Sequence, residues 1–195
     1  MNGFELRRMT AADAPLTVDW MVAQYGFDRA EVEQWVATLA FDWPLSVKAV
    51  GADGRVAGLL NMSSYRIEDE AEQMPVCEPE LLARLNALRY TAVFSFIVRA
   101  DLRGTRLNHD MLTCIMPELR RRFDFVFVPV LHRLATHRYW RRWGALEFHR
   151  DAECVYYALP LGESQRLAIS EIISNFAPAL RNATEPQPQS KQATE

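Results

Sequence analysis

The chain has 195 residues, of which 49% are hydrophobic and 11% aromatic, and its formal net charge is −3. This length suits one domain of roughly 100–200 residues, and the apolar fraction is sufficient for a buried core, which excludes a disordered or fibrous protein. No segment approaches the ~20 consecutive apolar residues of a membrane span, and the first residues lack the apolar run of a secretory signal, so we expect a cytoplasmic protein that does not bind membranes.

The first half of the chain predicts a strand, two helices, a hairpin and a third helix. Residues 4–9 form the strand, and Thr10 is placed to cap the helix that follows. Asp28 is expected to cap the second helix. The pair Asp53-Gly54 predicts the tight turn of the hairpin, because such turns need positive backbone angles. The apolar stripe of the first helix comprises Leu16, Trp20, Met21 and Tyr25.

The middle of the chain predicts two parallel strands joined by a helix. Residues 91–98 are apolar on both faces, as is typical of a central strand covered on both sides, and residues 123–130 repeat that pattern. Between them, Asn108 is expected to cap a helix with one apolar face. Ligands bind such α/β units at the carboxyl ends of the strands. The segment from Val98 to Leu112 is therefore the predicted ligand-binding region.

The C-terminal part predicts a short helix over residues 135–143, a hairpin turning at Arg150-Asp151 and a last amphipathic helix. The remaining residues are polar and interrupted by proline, so they cannot bury enough apolar surface to pack. We therefore expect one α/β domain over residues 1–176 and a disordered tail over residues 177–195.

Two motifs resemble those of the Gcn5-related N-acetyltransferase superfamily. V-R-A-D-L-R-G-T-R-L-N-H-D-M-L, from Val98 to Leu112, is similar to the family's strand-ending valine, short loop and Arg/Gln-x-x-Gly-x-Gly/Ala at a helix start. Y-W-R-R-W-G-A-L-E-F, from Tyr139 to Phe148, is similar to the family's Phe-Tyr-x-x-x-Gly-Phe. The initial order of strand, two helices and hairpin is also the family's, and the likeness extends over residues 4–161.

This resemblance implies both a fold and an activity. The fold is a mixed, mostly antiparallel central sheet with a parallel pair in the middle, flanked by helices. The activity is transfer of an acetyl or other acyl group from acyl-CoA to an amine, with acetyl-CoA as the default donor.

In the family, the loop of the first motif binds the pyrophosphate of coenzyme A. Exposed amides and the helix dipole favour an anion at a helix start. Arg103 fits the leading Arg/Gln of the motif, whereas Arg106 and Asn108 stand where the family has glycines. Either Arg106 turns outward and contacts phosphate itself, or the loop does not receive a pyrophosphate. The implied cofactor-binding residues are Val98, Arg103, Gly104, Thr105, Arg106, Leu107 and Asn108.

The second motif departs from the family at its tyrosine, a proton donor to the leaving thiolate. Trp140 stands in that position, and an indole N–H is not acidic enough for general acid catalysis. Tyr139 precedes it, about 100° away around a helix. Tyr139 is the candidate proton donor if the register of the helix differs, and ordinary packing is the alternative for both residues.

Attack of an amine on a thioester needs proximity, a donor to the developing oxyanion and a route for the amine's proton. The resemblance places the oxyanion donor on the backbone around Phe96 and Val98, so Phe96, Val98 and Tyr139 are the predicted catalytic residues. Ser95 either orders a water or is a satisfied core hydroxyl. Candidate bases, for which a solvated acidic loop is the alternative, are Glu68, Asp69, Glu70 and Glu72.

Positive charge is concentrated between Arg99 and Arg150, where eleven arginines outnumber five acids. This local balance of +6 leaves −9 on the rest of the chain. Guanidinium groups bind phosphate in a bidentate fork, which favours a phosphorylated ligand or an acidic partner. An acyl carrier protein is therefore an alternative donor, and a catalytically inactive binding protein of this fold is a third hypothesis. Nucleic-acid binding is not expected, because the overall charge is negative.

The remaining reactive residues do not form a recognisable site. His132 and His137 would diverge by about 140° on a helix and no H-E-x-x-H motif is present, so no metal site is predicted. The three cysteines are widely spaced, which indicates reduced thiols in the cytoplasm. The acceptor amine and the oligomeric state are not specified by the sequence.

Overall fold

The fold was analysed in a computed structural model that describes residues 3–38, 41–64, 67 and 78–182. Its elements are, in chain order, β1 (Phe4–Arg8), α1 (Ala14–Tyr25), α2 (Arg29–Thr38), β2 (Val47–Gly51), β3 (Val56–Ser63), α3 (Pro79–Asn86), β4 (Tyr90–Val98), α4 (Leu107–Arg122), β5 (Phe125–Leu131), α5 (His137–Arg142), β6 (Leu146–Arg150), β7 (Cys154–Pro160) and α6 (Glu163–Asn182). No helix in the described ranges is long and apolar enough to cross a membrane.

The strands that the structure describes form one seven-stranded sheet in the order β1-β2-β3-β4-β5-β7-β6. Strands β4 and β5 are parallel, and every other neighbouring pair is antiparallel. Helix α4 connects the parallel pair, as such a pair requires. The predicted mixed sheet with a parallel pair in the middle is therefore confirmed.

The β2–β3 hairpin is present, but its turn differs from the predicted one. Only Gly54 has a positive φ, of 77°, and Asp53 does not. The Asp53 carboxylate instead accepts a hydrogen bond from the Arg55 amide at 3.0 Å. Asp53 thus closes the turn through its side chain. Aspartate carboxylates commonly accept a hydrogen bond from the backbone amide two residues later.

Helix α4 covers one face of the sheet. Gly58 in β3 permits its close approach, because a Cβ atom there would lie 2.9 Å from Met111 Cε and 3.2 Å from the Ile97 carbonyl oxygen. The helix buries the face that its sequence predicted, which comprises Met111, Leu112, Ile115, Met116 and Leu119.

The opposite face is covered by two helix pairs, α1 with α2 over β4 and α3 with α6 over β5 to β7. Of the predicted stripe of α1, Met21 is buried and Trp20 and Tyr25 pack partly buried against the same cluster, while Thr17 and Val18 are buried beside them. Thr17 Oγ1 lies 3.4 Å from the side-chain oxygen of Asn61. The buried face of the helix therefore includes a polar contact beside its apolar residues.

The C-terminal helix is longer than predicted. Helix α6 begins at Glu163 as expected but continues to Asn182, beyond the boundary at residue 176. Residues 177–182 are helical, which corrects the predicted start of the tail. The prediction of disorder now concerns residues 183–195, which lie outside the described residues.

Candidate functional site

The two parallel strands separate towards their carboxyl ends. Strand β4 pairs with β5 only at Tyr90, Thr91 and Ala92, whose partners are residues 125–127. Beyond that point, β4 continues to pair with β3 up to Val98, and β5 with β7 up to Leu131. In the described part of the chain, residues 93–98 of β4 and 128–131 of β5 thus border an unpaired region, which we call the gap.

Two amides of β4 point into the gap. The Arg99 amide donates to the Ala57 carbonyl of β3 at 2.9 Å. Because successive amides of a strand point to opposite sides, the Val98 and Phe96 amides face β5. This is the orientation that the predicted oxyanion-donor role of Phe96 and Val98 requires. A bulge at Phe94, where the β3–β4 register shifts, precedes these residues.

The loop that leaves β4 presents further amides. Gly104 adopts a φ of 81°, which glycine tolerates because it lacks a Cβ, and no atom lies within 4 Å of where a Cβ would be. The amides of Gly104, Arg106, Asn108 and His109 make no hydrogen bond to any described part of the chain. Unpaired amides at a helix start are the groups that bind phosphate.

The predicted helix cap is wrong. Helix α4 begins at Leu107, so Asn108 lies inside its first turn and is not the capping residue. The Thr105 hydroxyl accepts from the Leu107 amide at 3.3 Å and donates to the Leu102 carbonyl at 2.7 Å. Thr105 therefore shapes the loop, and the Asn108 amide is left unpaired within the described residues.

Arg106 does not fill the gap. Its Nε donates to Asp110 Oδ1 at 3.1 Å, one turn along α4, and its side chain is 72% exposed. The side chain turns outward, and its contact with phosphate stays a prediction.

The last turn of α1 is joined to the loops on both sides of the gap. Arg103, in the loop after β4, donates to Gln24 Oε1 at 2.6 Å. Arg133, in the loop after β5, donates to the Tyr25 carbonyl oxygen at 2.7 Å. Both guanidinium groups bind neutral oxygens, and neither has a carboxylate partner among the described residues.

Tyr25 contacts the reacting strand. Burial raises the pKa of Tyr25 to about 12, and the Phe96 backbone offsets part of the rise. Its ring packs against Phe27, with 5.6 Å between centroids. The Phe96 amide faces the gap, and its contact with an oxyanion stays a prediction.

Tyr139 and Trp140 lie beside the same strand on the α4 side. Their rings are 5.7 and 5.8 Å from that of Phe96, and Trp140 is buried, so packing accounts for the tryptophan. The Tyr139 hydroxyl donates to the Asn108 carbonyl at 3.1 Å. Burial raises the pKa of Tyr139, and a hydrogen bond with the Trp143 side chain offsets part of the rise. A proton-donor role for Tyr139 stays a prediction.

Other sequence candidates do not contribute to the site. The Ser95 hydroxyl accepts from Asn61 Nδ2 at 2.7 Å, so it is a satisfied core group. Glu68, Asp69, Glu70 and Glu72 lie outside the described residues. Among the residues that are described, no group of three or more His, Cys, Asp or Glu could hold a metal ion.

The structure brings together most of the predicted binding residues and adds three. Val98 borders the gap, and Arg103, Gly104 and the start of α4 follow it in the chain. Gln24, Tyr25 and Arg133 were not predicted as site residues. Arg133 lies in the arginine-rich segment from Arg99 to Arg150, and this concentration of charge could have indicated it as a site residue. No pattern in the sequence indicates that Tyr25 lies near Phe96.

Comparisons with known proteins identify the fold. No protein-family model and no curated protein matches the sequence. Solved structures do match it. The ribosomal-protein-S18-alanine N-acetyltransferase from Escherichia coli is 12% identical with a TM-score of 0.55, over 82% of this chain and 95% of that chain.

Two further solved structures match a similar share of the chain. The PaiA N-acetyltransferase from Thermoplasma acidophilum, in complex with coenzyme A, is 9% identical with a TM-score of 0.53, over 80% of this chain and 98% of that chain. An acetyltransferase of the GNAT family from Listeria monocytogenes is 14% identical with a TM-score of 0.54, over 80% of this chain and 93% of that chain. At these identities the likeness shows the fold, and the predicted fold class is confirmed.

Proposed function

Starting from the fold of the Gcn5-related N-acetyltransferases, which this chain shares, we propose that it is an N-acyltransferase. The donor is an acyl-CoA thioester, with acetyl-CoA as the default, and the acceptor is an amine. The neighbours of this fold are acetyltransferases, and one of them was solved with coenzyme A bound.

The observation that carries the proposal is the gap, together with the line of amides that continues from it. The Val98 amide faces the gap, and the amides of Gly104, Arg106 and Asn108 follow at the start of α4. An extended pantetheine arm, which contains amides, can pair with a strand edge as an added strand does. The donor's phosphates then reach the loop, where unpaired amides and the helix dipole favour them.

Two side chains complete the phosphate site in this proposal. Arg103 exchanges the neutral Gln24 oxygen for a charged phosphate oxygen, which makes a stronger hydrogen bond. Gly104 keeps the backbone accessible, because nothing lies above it. The roles assigned here to Val98, Arg103, Gly104, Thr105, Arg106, Leu107 and Asn108 are binding of the donor, with Thr105 and Leu107 acting through the shape of the loop.

The chemistry follows from the placement of the thioester between the strands. The amine nitrogen adds to the carbonyl carbon, and the carbonyl oxygen becomes an oxyanion beside the backbone of β4. The C–S bond then breaks and its electron pair leaves on sulfur. The amine's proton passes to water and the thiolate takes a proton from water, so the transfer needs no metal or redox group.

Calorimetric titration with CoA and with acetyl-CoA tests the proposal. We expect a micromolar Kd for the wild type, and weakening by about tenfold for Arg103→Ala because a charge-assisted hydrogen bond is lost. Arg84→Ala is the matched control, since Arg84 is an exposed arginine of α3 paired with Glu80. Absence of CoA binding, or equal weakening by both variants, would overturn the proposal.

A second candidate donor is an acyl carrier protein. Arg138 and Arg142 are one turn apart on α5, both are exposed, and neither has a carboxylate partner in the described ranges. Two like charges at this spacing destabilise a helix slightly. An anionic partner that binds both arginines would offset this destabilisation. The same helix contacts Phe96 through Tyr139 and Trp140.

A third titration, with an acyl carrier protein, separates the donors. Binding of the carrier alone, weakened by the Arg138→Ala/Arg142→Ala double variant, would assign it as the donor. Binding of neither donor would favour a protein that retains the fold without the reaction.

A further inference from the structure

The gap is buried on one face of the sheet and partly open on the other. Successive side chains of a strand point to opposite faces. On the face that α4 covers, Val128 and Val130 of β5 border the gap and are buried. On the opposite face, Pro129 and Leu131 are only half-buried. A molecule can therefore reach the gap from the face on which α1 lies.

The placement of the acyl donor makes this open face the side from which the acceptor approaches. In the proposed complex the pantetheine arm runs along β4 and its carbonyl groups point at strand amides, so the thioester lies close to the plane of the sheet. An amine attacks a carbonyl carbon from above or below that plane. Tyr139 and Trp140 pack against Phe96 on the α4 face, which leaves the α1 face for the amine.

Arg133 lies at the open face, in the loop that follows β5. Its Nη2 donates to the Tyr25 carbonyl oxygen at 2.7 Å. Helix α1 packs on Ile97 of β4, so this contact crosses from the β5 side of the gap to the β4 side. Tyr25 is the last residue of α1, because Gly26 follows it with a φ of 73°. The guanidinium is thereby held at the carboxyl ends of the two strands, where they have separated.

The guanidinium of Arg133 is available to an anion. The side chain is exposed, and the contact with Tyr25 is the one hydrogen bond that its five N–H donors make to the described residues. None of the ion pairs within those residues includes Arg133. An ionised oxygen makes a hydrogen bond roughly twice as strong as a neutral one, so a carboxylate is a better partner than the present carbonyl.

We propose that Arg133 binds a carboxylate of the acceptor, so that the substrate is an amine that also carries a carboxylate, as amino acids do. This inference rests on the proposed function. A guanidinium presents two parallel N–H groups that match the two oxygens of one carboxylate, so a single arginine is sufficient. Binding of the carboxylate at Arg133 holds the acceptor on the open face, with its amine directed at the thioester.

The chemical step is the one described above. The amine nitrogen bonds to the thioester carbon, the C–S bond breaks with its electron pair on sulfur, and the amine's proton passes to water. Arg133 contacts a part of the acceptor whose charge does not change during the reaction. It therefore lowers KM for the acceptor and leaves kcat nearly unchanged.

Release of CoA from acetyl-CoA, measured with two pools of acceptors, tests the inference. One pool contains the standard amino acids other than cysteine, and the other contains their α-carboxamides, which replace the carboxylate with a neutral group of similar shape. At subsaturating concentrations the wild type should react about tenfold faster with the acids, because the carboxylate makes a charge-assisted hydrogen bond. Arg133→Ala should lose most of this preference through a higher KM for the acids.

Two variants make the result specific. Arg121→Ala is the matched control and should keep the preference, since Arg121 is an exposed arginine paired with Glu118 in the last turn of α4. Arg133→Lys keeps the positive charge without the fork, should lose part of the preference, and tests the inference if Arg133→Ala does not fold. If Arg133 serves only to stabilise the end of α1, its replacement will lower the Tm and slow both pools equally, which would overturn the inference.

Ethanolamine and its phosphate monoester form a second matched pair of acceptors. A preference for the phosphate monoester, with none for the acids over their carboxamides, would assign a phosphate to Arg133 and overturn the carboxylate. If acetyl-CoA binds in calorimetry and the acids are not preferred, the inference fails while the donor site stands. If acetyl-CoA does not bind, the proposed function and the inference both fail.

Discussion

The Arg103 guanidinium donates to the side-chain oxygen of Gln24 over 2.6 Å, and this contact joins the loop after β4 to the last turn of α1. The same guanidinium is the one that we assign to the donor's phosphates. Arg103 cannot make its best contact with both, so binding of the donor competes with the contact to α1.

We predict that Gln24→Ala binds CoA more tightly than the wild type. The free protein loses a hydrogen bond that the complex does not contain, and a hydrogen bond worth about 0.5–1.5 kcal/mol corresponds to about two- to tenfold in Kd. Calorimetry measures the change. Gln34→Ala is the control, since Gln34 is an exposed glutamine of α2 and is not the partner of Arg103. Weaker binding by Gln24→Ala would mean that Gln24 itself contacts the donor.

We predict that Arg106→Gly weakens CoA binding by less than about tenfold, because backbone amides, which the substitution retains, bind the phosphate. The lost ion pair with Asp110 is exposed and contributes little to stability. Titration of both proteins at the same salt concentration measures the difference. A larger loss would show that the guanidinium, and not the backbone, holds the phosphate.

We predict that Gly58→Ala lowers the free energy of unfolding by about 1–3 kcal/mol, because the new methyl group would overlap Met111 and press on the backbone of Ile97. Urea unfolding measures it. Gly3→Ala should change stability by less than about 0.5 kcal/mol, since no atom lies within 4 Å of a Cβ there. Equal stability of the two variants would contradict the packing of α4 on β3.

We predict a loss of stability in mild acid that depends on His149. This residue is buried, its Nε2 has no hydrogen-bond partner in the described structure, and burial lowers its pKa, an effect that Asp151 opposes. The unfolded chain therefore binds a proton that the folded one excludes. Stability is greatest above the unfolded pKa of about 6.5 and falls as the pH approaches the lower folded value.

Urea unfolding between about pH 7.5 and 5.5, a window that brackets the unfolded pKa of histidine, checks this dependence. The wild type should lose stability across it, and His149→Phe, which cannot be protonated and fits beside the Tyr156 ring, should lose less. Identical pH profiles would show that His149 accepts a proton while folded.

The order of elements could be predicted because each local signal agreed with the fold. The apolar run of β4 indicated a strand covered on both faces, and Gly54 marked the hairpin turn. Prediction failed where a polar side chain overrode periodicity. Thr17 is buried and contacts Asn61, a pairing that a hydrophobic stripe cannot reveal. Helix α4 begins at Leu107, whose amide donates to the Thr105 hydroxyl, so Asn108 lies inside the helix.

The candidate site could be predicted only where one segment of the chain forms it. The loop from Arg99 to Asn108 is contiguous, and its motif was sufficient to locate it. Strands β4 and β5 separate because their pairing stops after Ala92. The apolar runs of the two strands do not show where this pairing ends. The contacts of Arg103 with Gln24 and of Arg133 with Tyr25 join distant parts of the sequence.

The amide NMR spectrum of the ¹⁵N-labelled protein, recorded during a titration with CoA, tests the central claim most directly. If the donor lies in the gap and along the loop, the resonances of Val98, Gly104, Arg106 and Asn108 will move with one common Kd, while that of Glu5 on the edge strand β1 stays in place. Saturating CoA that leaves those four resonances unmoved, or moves only amides remote from the gap, would contradict the account.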